Sequence, residues 1–290
     1  MTFVDIGSGP PVVLVPGIQG RWEWMKPAVD ALAARCRVVT FSLADEPSCG
    51  AHFDAAHGFD CYVEQIREAM DLAGLQSAIV AGVSYGGLVA AAFAARHPER
   101  VDGLVLVSAI PPQWKPNARV RFFLRAPRAL SPLFMLNSLR MYKEIATAIP
   151  GVLPGMGAAL KHALNVLTHM MSPGRMARRV HLLESAQLDR NLANLHVPTM
   201  VVTGEAQLDN VVPVRLTEEY VRMWPHAERV TIARTGHIGL ITRPDAFAGA
   251  VVSFVERSAE IRPAASSIRL KPGSTSIRLK PDSTREKRVG

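Results

Sequence analysis

The stretch Gly82-Val83-Ser84-Tyr85-Gly86-Gly87 indicates how the rest of the chain is arranged. The apolar residues 77–81 before it predict a buried strand, and residues 88–95 after it, rich in helix formers, predict a helix that ends at His97-Pro98. A strand, the pattern G-x-S-x-G and a helix, in that order, predict a sharp turn that holds a serine hydroxyl clear of a sheet. The alternative is an ordinary Gly/Ser turn, which does not require both flanks.

Strands and helices alternate on either side of this turn. Apolar segments predict strands at 10–15, 37–42, 77–81, 101–108, 197–203 and 229–232, and amphipathic or helix-forming segments predict helices at 24–34, 60–72, 88–95, 214–223 and 244–257. This order predicts an α/β fold, with a mostly parallel sheet between helices on both faces.

The alternation stops between residues 113 and 190, a stretch rich in Met and Phe. We interpret it as a helical cap with an apolar underside, although an ordinary helical subdomain would have the same composition. The predicted organisation is a first core segment at 1–112, the cap at 113–190, a second core segment at 191–258 and a tail at 259–290.

The charge is distributed unevenly along the 290 residues, whose formal net charge is +8. Residues 113–190 contain twelve lysines and arginines against three acids, and residues 257–290 contain nine against three, so the rest of the chain is acidic. This distribution argues against nucleic acid as a partner. The basic cap and tail instead fit an anionic group of a substrate, near Arg119, Arg121 or Arg125, or peripheral contact with anionic membranes.

The tail contains a nonapeptide repeated in tandem at 267–275 and 276–284, with Gly273 in the first copy where the second has Asp282. Because the repeat is polar, basic and proline-bearing, it predicts a disordered segment. The chain has no signal-peptide pattern at its start, and its three cysteines, Cys36, Cys49 and Cys61, have no metal-ligand spacing. We therefore expect a cytoplasmic protein with reduced thiols, no bound metal and no organic cofactor.

A serine hydroxyl needs a base, usually a histidine that a carboxylate orients. Of the nine histidines, His237 lies in the glycine-flanked stretch Thr235-Gly236-His237-Ile238-Gly239, directly after the last predicted strand. The carboxylate is Asp209 or Glu205, both of which follow the strand at 197–203. The order serine, acid, histidine along the chain is typical of one class of hydrolytic triad.

A second glycine turn, Pro16-Gly17-Ile18-Gln19-Gly20, follows the strand at 10–15. The backbone amides of Ile18 and Tyr85 are the predicted donors to an oxyanion. Trp24, Tyr85 and Ile238 are the predicted contacts for a substrate.

These segments together resemble the α/β-hydrolase superfamily over residues 4–257. The matching pieces are P-G-I-Q-G, G-V-S-Y-G-G, G-E-A-Q-L-D-N-V-V-P and T-G-H-I-G. The resemblance implies an eight-stranded, mostly parallel sheet, a helical cap after the sixth family strand and a Ser84–Asp209–His237 triad. Because the chain starts late relative to the family, we expect the first edge strand to be missing. The segment from Gly204 to Asp209 is two residues longer than the common family spacing, which keeps Glu205 as the alternative acid.

The resemblance also implies a serine hydrolase that cleaves a carboxylic ester or thioester of an acyl or aromatic group through an acyl-enzyme on Ser84. Two alternatives remain open at the level of sequence. One is a hydrolase that cleaves a carbon–carbon bond with the same triad. The other is a non-catalytic binding protein with this fold, since fold alone does not establish function.

Overall fold

A computed structural model of the chain describes residues 1–51, 53–137, 141–149, 171–188 and 190–261. In this part of the chain the strands form a single sheet of seven, in the order β1-β3-β2-β4-β5-β6-β7. The strands are β1 Val4–Gly7, β2 Pro11–Val15, β3 Arg37–Thr40, β4 Ala78–Val83, β5 Val101–Val107, β6 Thr199–Thr203 and β7 Glu228–Thr231. Only β1 runs antiparallel to its neighbour, β3, and every other pair is parallel.

The sheet confirms the mostly parallel architecture. The described residues form seven strands, one fewer than the eight of the family pattern and the number expected without its first edge strand. Sequence patterning did not predict β1. This strand has only four residues and is only half-buried, so its sequence shows neither a long apolar run nor a clear alternation.

Helices cover both faces of the sheet. Their bounds are α1 Lys26–Ala33, α2 Asp60–Leu72, α3 Tyr85–Arg96, α4 Ala118–Arg125, α5 Ser131–Asn137, α6 Tyr142–Ala148, α7 Pro173–Ser185, α8 Val214–Thr217, α9 Glu219–Met223, α10 Gly239–Thr242 and α11 Pro244–Ile261. Short 3₁₀ turns lie at Trp22–Met25, Pro47–Cys49, Pro98–Arg100 and Arg190–Asn194. The single helix predicted at 214–223 is two short helices, α8 and α9, which meet at Glu218.

The core consists of two apolar layers, one on each side of the sheet. Val13 and Val15 of β2 pack in the layer with α2 and α3, whereas Val12 and Leu14 pack in the layer with α1 and α11. This alternation follows from the period of two in a strand, which sends successive side chains to opposite faces. Helix α3 is buried along almost its whole length, so the serine turn that precedes it is fixed from both ends.

Helices α4 to α7 lie between β5 and β6 in the sequence, where the cap was predicted. Residues 138–140, 150–170 and 189 of the predicted cap, residues 262–290 of the predicted tail with both nonapeptide repeats, and His52 lie outside the described residues. Among the described helices none is both long and apolar enough to cross a membrane.

Candidate active site

Ser84 occupies the turn between β4 and α3. Its backbone has φ 53° and ψ −114°, in the left-handed region that residues other than glycine seldom adopt. The turn is held by hydrogen bonds from the Ser84 amide to the Val107 carbonyl, at 2.8 Å, and from the Gly87 amide to the Ser84 carbonyl, at 3.1 Å. We call residues 82–87 the elbow.

Two glycines of the elbow are required by close backbone approach. A Cβ added at Gly82 would lie 2.2 Å from the carbonyl oxygen of Gly86, across the turn. A Cβ added at Gly86 would lie 2.3 Å from the carbonyl oxygen of Pro16, at the end of β2. The elbow therefore sits directly against residues 16–20, which we call the oxyanion loop.

His237 lies in the loop after β7, residues 234–238, which we call the base loop. The loop begins at Arg234, whose φ of 61° turns the chain sharply. A Cβ added at Gly236 would come within 2.5 Å of the Leu208 backbone, so the base loop packs backbone to backbone against the loop after β6. A hydrogen bond of 2.7 Å from the Glu205 amide to the Thr235 carbonyl joins the same two loops.

This packing brings Asp209 to the imidazole. Oδ2 of Asp209 lies 3.3 Å from Nδ1 of His237, while Oδ1 accepts the amides of Val211 and Val212 at 3.0 and 2.9 Å. The two amides fix the carboxylate, and the carboxylate in turn directs the imidazole so that Nε2 points away from it.

Glu205, the alternative acid, binds elsewhere. Its Oε1 accepts the Arg234 amide at 2.7 Å and its Oε2 accepts Nε2 of Gln207 at 2.5 Å. One partner is a backbone amide of the base loop and the other is a side chain of the loop after β6, so neither is the imidazole. The structure therefore brings Asp209, and not Glu205, to His237.

Each of the three predicted triad side chains is buried. Ser84, Asp209 and His237 are 8, 6 and 8 % exposed. No hydrogen bond joins the Ser84 hydroxyl to the imidazole of His237, both of which are described residues, so one of the two triad contacts is present in this structure. Catalytic hydrogen bonds of this kind often form only when substrate is bound.

The predicted oxyanion donors are the amides of Ile18 in the oxyanion loop and of Tyr85 in the elbow. Tyr85 is the first residue of α3, and amides of the first turn have no acceptor within their own helix. The Ile18 amide donates no hydrogen bond to any described residue. The N-terminus of a helix favours an anion, and the binding of an oxyanion by these two amides stays a prediction.

The oxyanion loop is held from the cap by Arg179 of α7, which is completely buried. Its Nη1 donates to the Ile18 carbonyl at 2.6 Å, and its Nη2 pairs with Asp45 at 2.5 Å and with Glu46 at 2.6 Å. Arg175, one turn earlier on α7, lies 3.1 Å from the second oxygen of Glu46. Two cap cations thus neutralise two buried body carboxylates at the back of the oxyanion loop.

The base loop is also held from the cap, by Glu144 of α6. Oε1 of Glu144 accepts the Gly236 amide at 2.8 Å, the Ile238 amide at 2.8 Å and the Thr235 hydroxyl at 2.9 Å. Glu144 is 1 % exposed, and this burial raises the pKa of its carboxyl group despite the three hydrogen bonds. Sequence reasoning did not find Glu144 or Arg179. One available signal was that Glu144 is an isolated acid in a cap dominated by bases.

The family model described as the alpha/beta hydrolase fold matches residues 10–244. The chain belongs to the alpha/beta hydrolase fold family. It is 28 % identical over 261 residues to the pimeloyl-(acyl-carrier protein) methyl ester esterase of Vibrio atlanticus (strain LGP32), an alignment that covers 87 % of this chain and 96 % of that protein. It is 31 % identical over 189 residues to the enzyme of the same name from Yersinia enterocolitica serotype O:8 / biotype 1B, with 63 % of this chain and 71 % of that protein covered.

Solved structures of this family share the fold at lower identity. The esterase RhEst1 from Rhodococcus sp. ECU1013 superposes with a TM-score of 0.69 at 24 % identity, covering 88 % of this chain and 94 % of that one. The enol-lactonase from Burkholderia xenovorans LB400 gives the same TM-score at 20 % identity, with 88 % and 95 % covered. These likenesses support the fold assignment.

The predicted substrate contacts occupy different positions in this hydrolase fold. The Tyr85 ring is buried and packs edge-on against Phe59 and Tyr62, with ring centroids 5.9 Å apart in both pairs, so it belongs to the core and is not placed to contact a substrate. Trp24 is buried in the 3₁₀ turn after the oxyanion loop, and Ile238 is half-buried next to His237. Their contact with a substrate stays a prediction.

The expected anion-binding arginines of the cap face outward. Arg119, Arg121 and Arg125 of α4 are exposed, and Arg121 donates to the Pro116 carbonyl at 3.1 Å. None of the three makes a contact with the elbow or the base loop. Across the described ranges there is also no cluster of three or more His, Cys, Asp or Glu side chains that could hold a metal ion.

Proposed function

We propose that this protein is a serine hydrolase that cleaves a carboxylic ester or thioester of an acyl or aromatic group through an acyl-enzyme on Ser84. His237 is the general base, Asp209 orients it, and the amides of Ile18 and Tyr85 bind the oxyanion. The observation that carries the proposal is the positive φ of Ser84 at the elbow, taken together with the pairing of Asp209 and His237. Relatives named as methyl ester esterases support the reaction class.

In the first half-reaction Ser84 Oγ forms a bond to the acyl carbon while His237 Nε2 takes the hydroxyl proton. The carbonyl electron pair moves onto the oxygen, which the Ile18 and Tyr85 amides stabilise. The bond to the leaving oxygen or sulfur then breaks, and the imidazolium returns the proton to the departing alkoxide or thiolate.

In the second half-reaction a water molecule replaces the alcohol or thiol. His237 takes its proton as the water oxygen bonds to the acyl carbon, and the bond to Ser84 breaks with return of the proton to Oγ. Asp209 stays ionised throughout and stabilises the imidazolium, held by the amides of Val211 and Val212.

A cytoplasmic location is part of the proposal, supported by three free cysteines. Burial raises the pKa of the Cys49 thiol to about 11, so this side chain is an inert structural thiol rather than a nucleophile. It therefore does not compete with Ser84 for the catalytic role.

The variant Ser84→Ala, assayed with p-nitrophenyl acetate and butyrate, tests the proposal. Loss of at least about 10⁴-fold in kcat is expected, with the melting temperature little changed because alanine keeps the Cβ and removes only the hydroxyl. Turnover within tenfold of the unaltered protein would overturn the assignment of Ser84.

The exposed face of the cap supports a subsidiary proposal of peripheral contact with an anionic membrane. Arg119 and Arg125 of α4 are exposed beside Phe122, which is 42 % exposed, and Leu136 of α5, which is 61 % exposed. Exposed apolar side chains among bases are typical of interfacial binding. Flotation with phosphatidylglycerol vesicles, and absence of flotation with phosphatidylcholine vesicles, is the expected result; equal behaviour with both would contradict it.

A further inference from the structure

Glu144 contacts the base loop on both sides of His237. The amides of Gly236 and Ile238 both donate to its Oε1, and the Thr235 hydroxyl donates to the same atom. The Thr235 hydroxyl also lies 2.8 Å from that of Thr242 on α10, which extends the network toward the next helix. One cap oxygen thus fixes three positions around the base, 235, 236 and 238, and constrains where the imidazole can lie.

The carboxylate is more than the hydrogen bonds require. All three donors are neutral, and no lysine or arginine of the described residues forms an ion pair with Glu144, so an uncharged amide could accept the same bonds. Burial of the charge raises the pKa of the carboxyl, which means that the ionised form is less favourable in the folded chain than in the unfolded one. The hydrogen bonds to neutral donors, rather than an ion pair with a base, therefore hold this side chain in place.

Glu144 and Asp209 contact the base loop at different points. Asp209 reaches the His237 imidazole from the loop after β6, with Oδ2 3.3 Å from Nδ1. Glu144 accepts the backbone amides on both sides of His237 and the Thr235 hydroxyl. Asp209 therefore orients the side chain of the base, whereas Glu144 holds the backbone that carries it.

We propose that Glu144 is a positioning residue through which α6 fixes the backbone of the base loop, and with it the position of the His237 imidazole during acyl transfer. The inference rests on the proposed function of Ser84 and His237. Without this acceptor the Gly236 and Ile238 amides lose the hydrogen bonds that hold them on either side of the base.

The test uses the full-length chain with Glu144→Ala, which removes the acceptor, and Glu144→Gln, which keeps an oxygen in its place. We expect kcat for p-nitrophenyl acetate to fall about tenfold in Glu144→Ala with KM little changed, since a displaced base acts on the transition state rather than on substrate binding. Glu144→Gln should restore kcat to within about threefold of the unaltered protein, because its side-chain oxygen can accept the same three hydrogen bonds.

The matched control is Glu184→Ala on α7, which removes a cap carboxylate that is exposed and pairs with His181. Its kcat and melting temperature should match those of the unaltered protein. The proposal would be wrong if Glu144→Ala kept the kcat of the unaltered protein, or if Glu144→Gln lost kcat by tenfold although its oxygen can accept the same bonds. Wild-type turnover that survives Ser84→Ala would instead refute the proposed function, so the two failures are distinguishable.

Discussion

The elbow and the base loop carry the two reacting side chains, yet they are held in different ways. The elbow is fixed largely by its own sequence. The positive φ of Ser84 and the close approach of Gly82 to Gly86 both involve residues within one short stretch. The base loop is fixed by distant groups, Asp209 from the loop after β6 and Glu144 from the cap, 28 and 93 positions away from His237. Local geometry is therefore sufficient for the nucleophile, whereas the base depends on the assembled fold.

Among changes that affect the base loop and leave the elbow unaltered, Asp209→Asn should have the largest effect on activity. The amide disfavours the tautomer that presents Nε2 to Ser84 and cannot stabilise the imidazolium, so kcat should fall by about 10⁴-fold. Steady-state kinetics at neutral pH with p-nitrophenyl butyrate measures the loss. Fluorophosphonate labelling of Ser84 should slow in parallel, because the nucleophile loses its base.

Glu205→Gln is the matched control for Asp209→Asn. Gln can still accept the Arg234 amide that Glu205 holds at 2.7 Å, so less than a tenfold change is expected. The reverse pattern, with Asp209→Asn active and Glu205→Gln inactive, would show that the longer loop uses Glu205 as its acid.

The oxyanion loop combines both kinds of support, because its glycine turn is local and Arg179 of the cap binds its backbone. Arg179→Met leaves Asp45 and Glu46 buried with only Arg175 nearby, which should cost about 3–5 kcal/mol of the free energy of unfolding. It also removes the donor to the Ile18 carbonyl, so kcat should fall in the folded fraction. Chemical denaturation followed by circular dichroism measures the first effect.

Arg35→Met provides the comparison for Arg179→Met. Arg35 pairs with Glu256 at the surface, where the two side chains are 63 and 60 % exposed, so its loss should cost less than about 1 kcal/mol. Equal losses for the two variants would mean that the buried cap contact does not anchor the cap to the body.

The local geometry of the elbow is tested most directly by Gly82→Ala. The added methyl group would collide with the Gly86 carbonyl across the turn, at a cost of about 1–3 kcal/mol. Gly249→Ala on α11 is the control, since its Cβ would meet nothing within 4 Å and alanine favours a helix by about 0.5–1 kcal/mol. A thermal melt in which Gly82→Ala is as stable as the unaltered protein would contradict the local origin of the elbow.

The same contrast explains how much could be predicted from the sequence. The elbow, the parallel strands and the glycine-flanked His237 were predictable because apolar periodicity and glycine turns act over a few residues. The choice between Asp209 and Glu205 was not, because both follow the same strand and only the packing of Gly236 on Leu208 brings one of them to the imidazole. Glu144 and Arg179 were missed because nothing in a local pattern shows which cap side chains turn inward.

The Tyr85 side chain and the cap arginines show the limits of arguing from position in the chain. Tyr85 follows the nucleophile directly, but its place at the start of α3 turns the ring into the core against Phe59 and Tyr62. The bases of α4 suggested an anion site, whereas two other described cap bases, the half-buried Arg175 and the buried Arg179, are already paired with body carboxylates. Charge counts locate a basic segment and do not orient its side chains.

The most direct measurement of the central claim is mass spectrometry of the protein after reaction with a fluorophosphonate. The account predicts one covalent adduct per chain, located on the peptide that contains Ser84, absent from Ser84→Ala and formed much more slowly in His237→Ala. An adduct on another residue, or continued ester turnover by fully labelled protein, would contradict the assignment of Ser84 as the nucleophile.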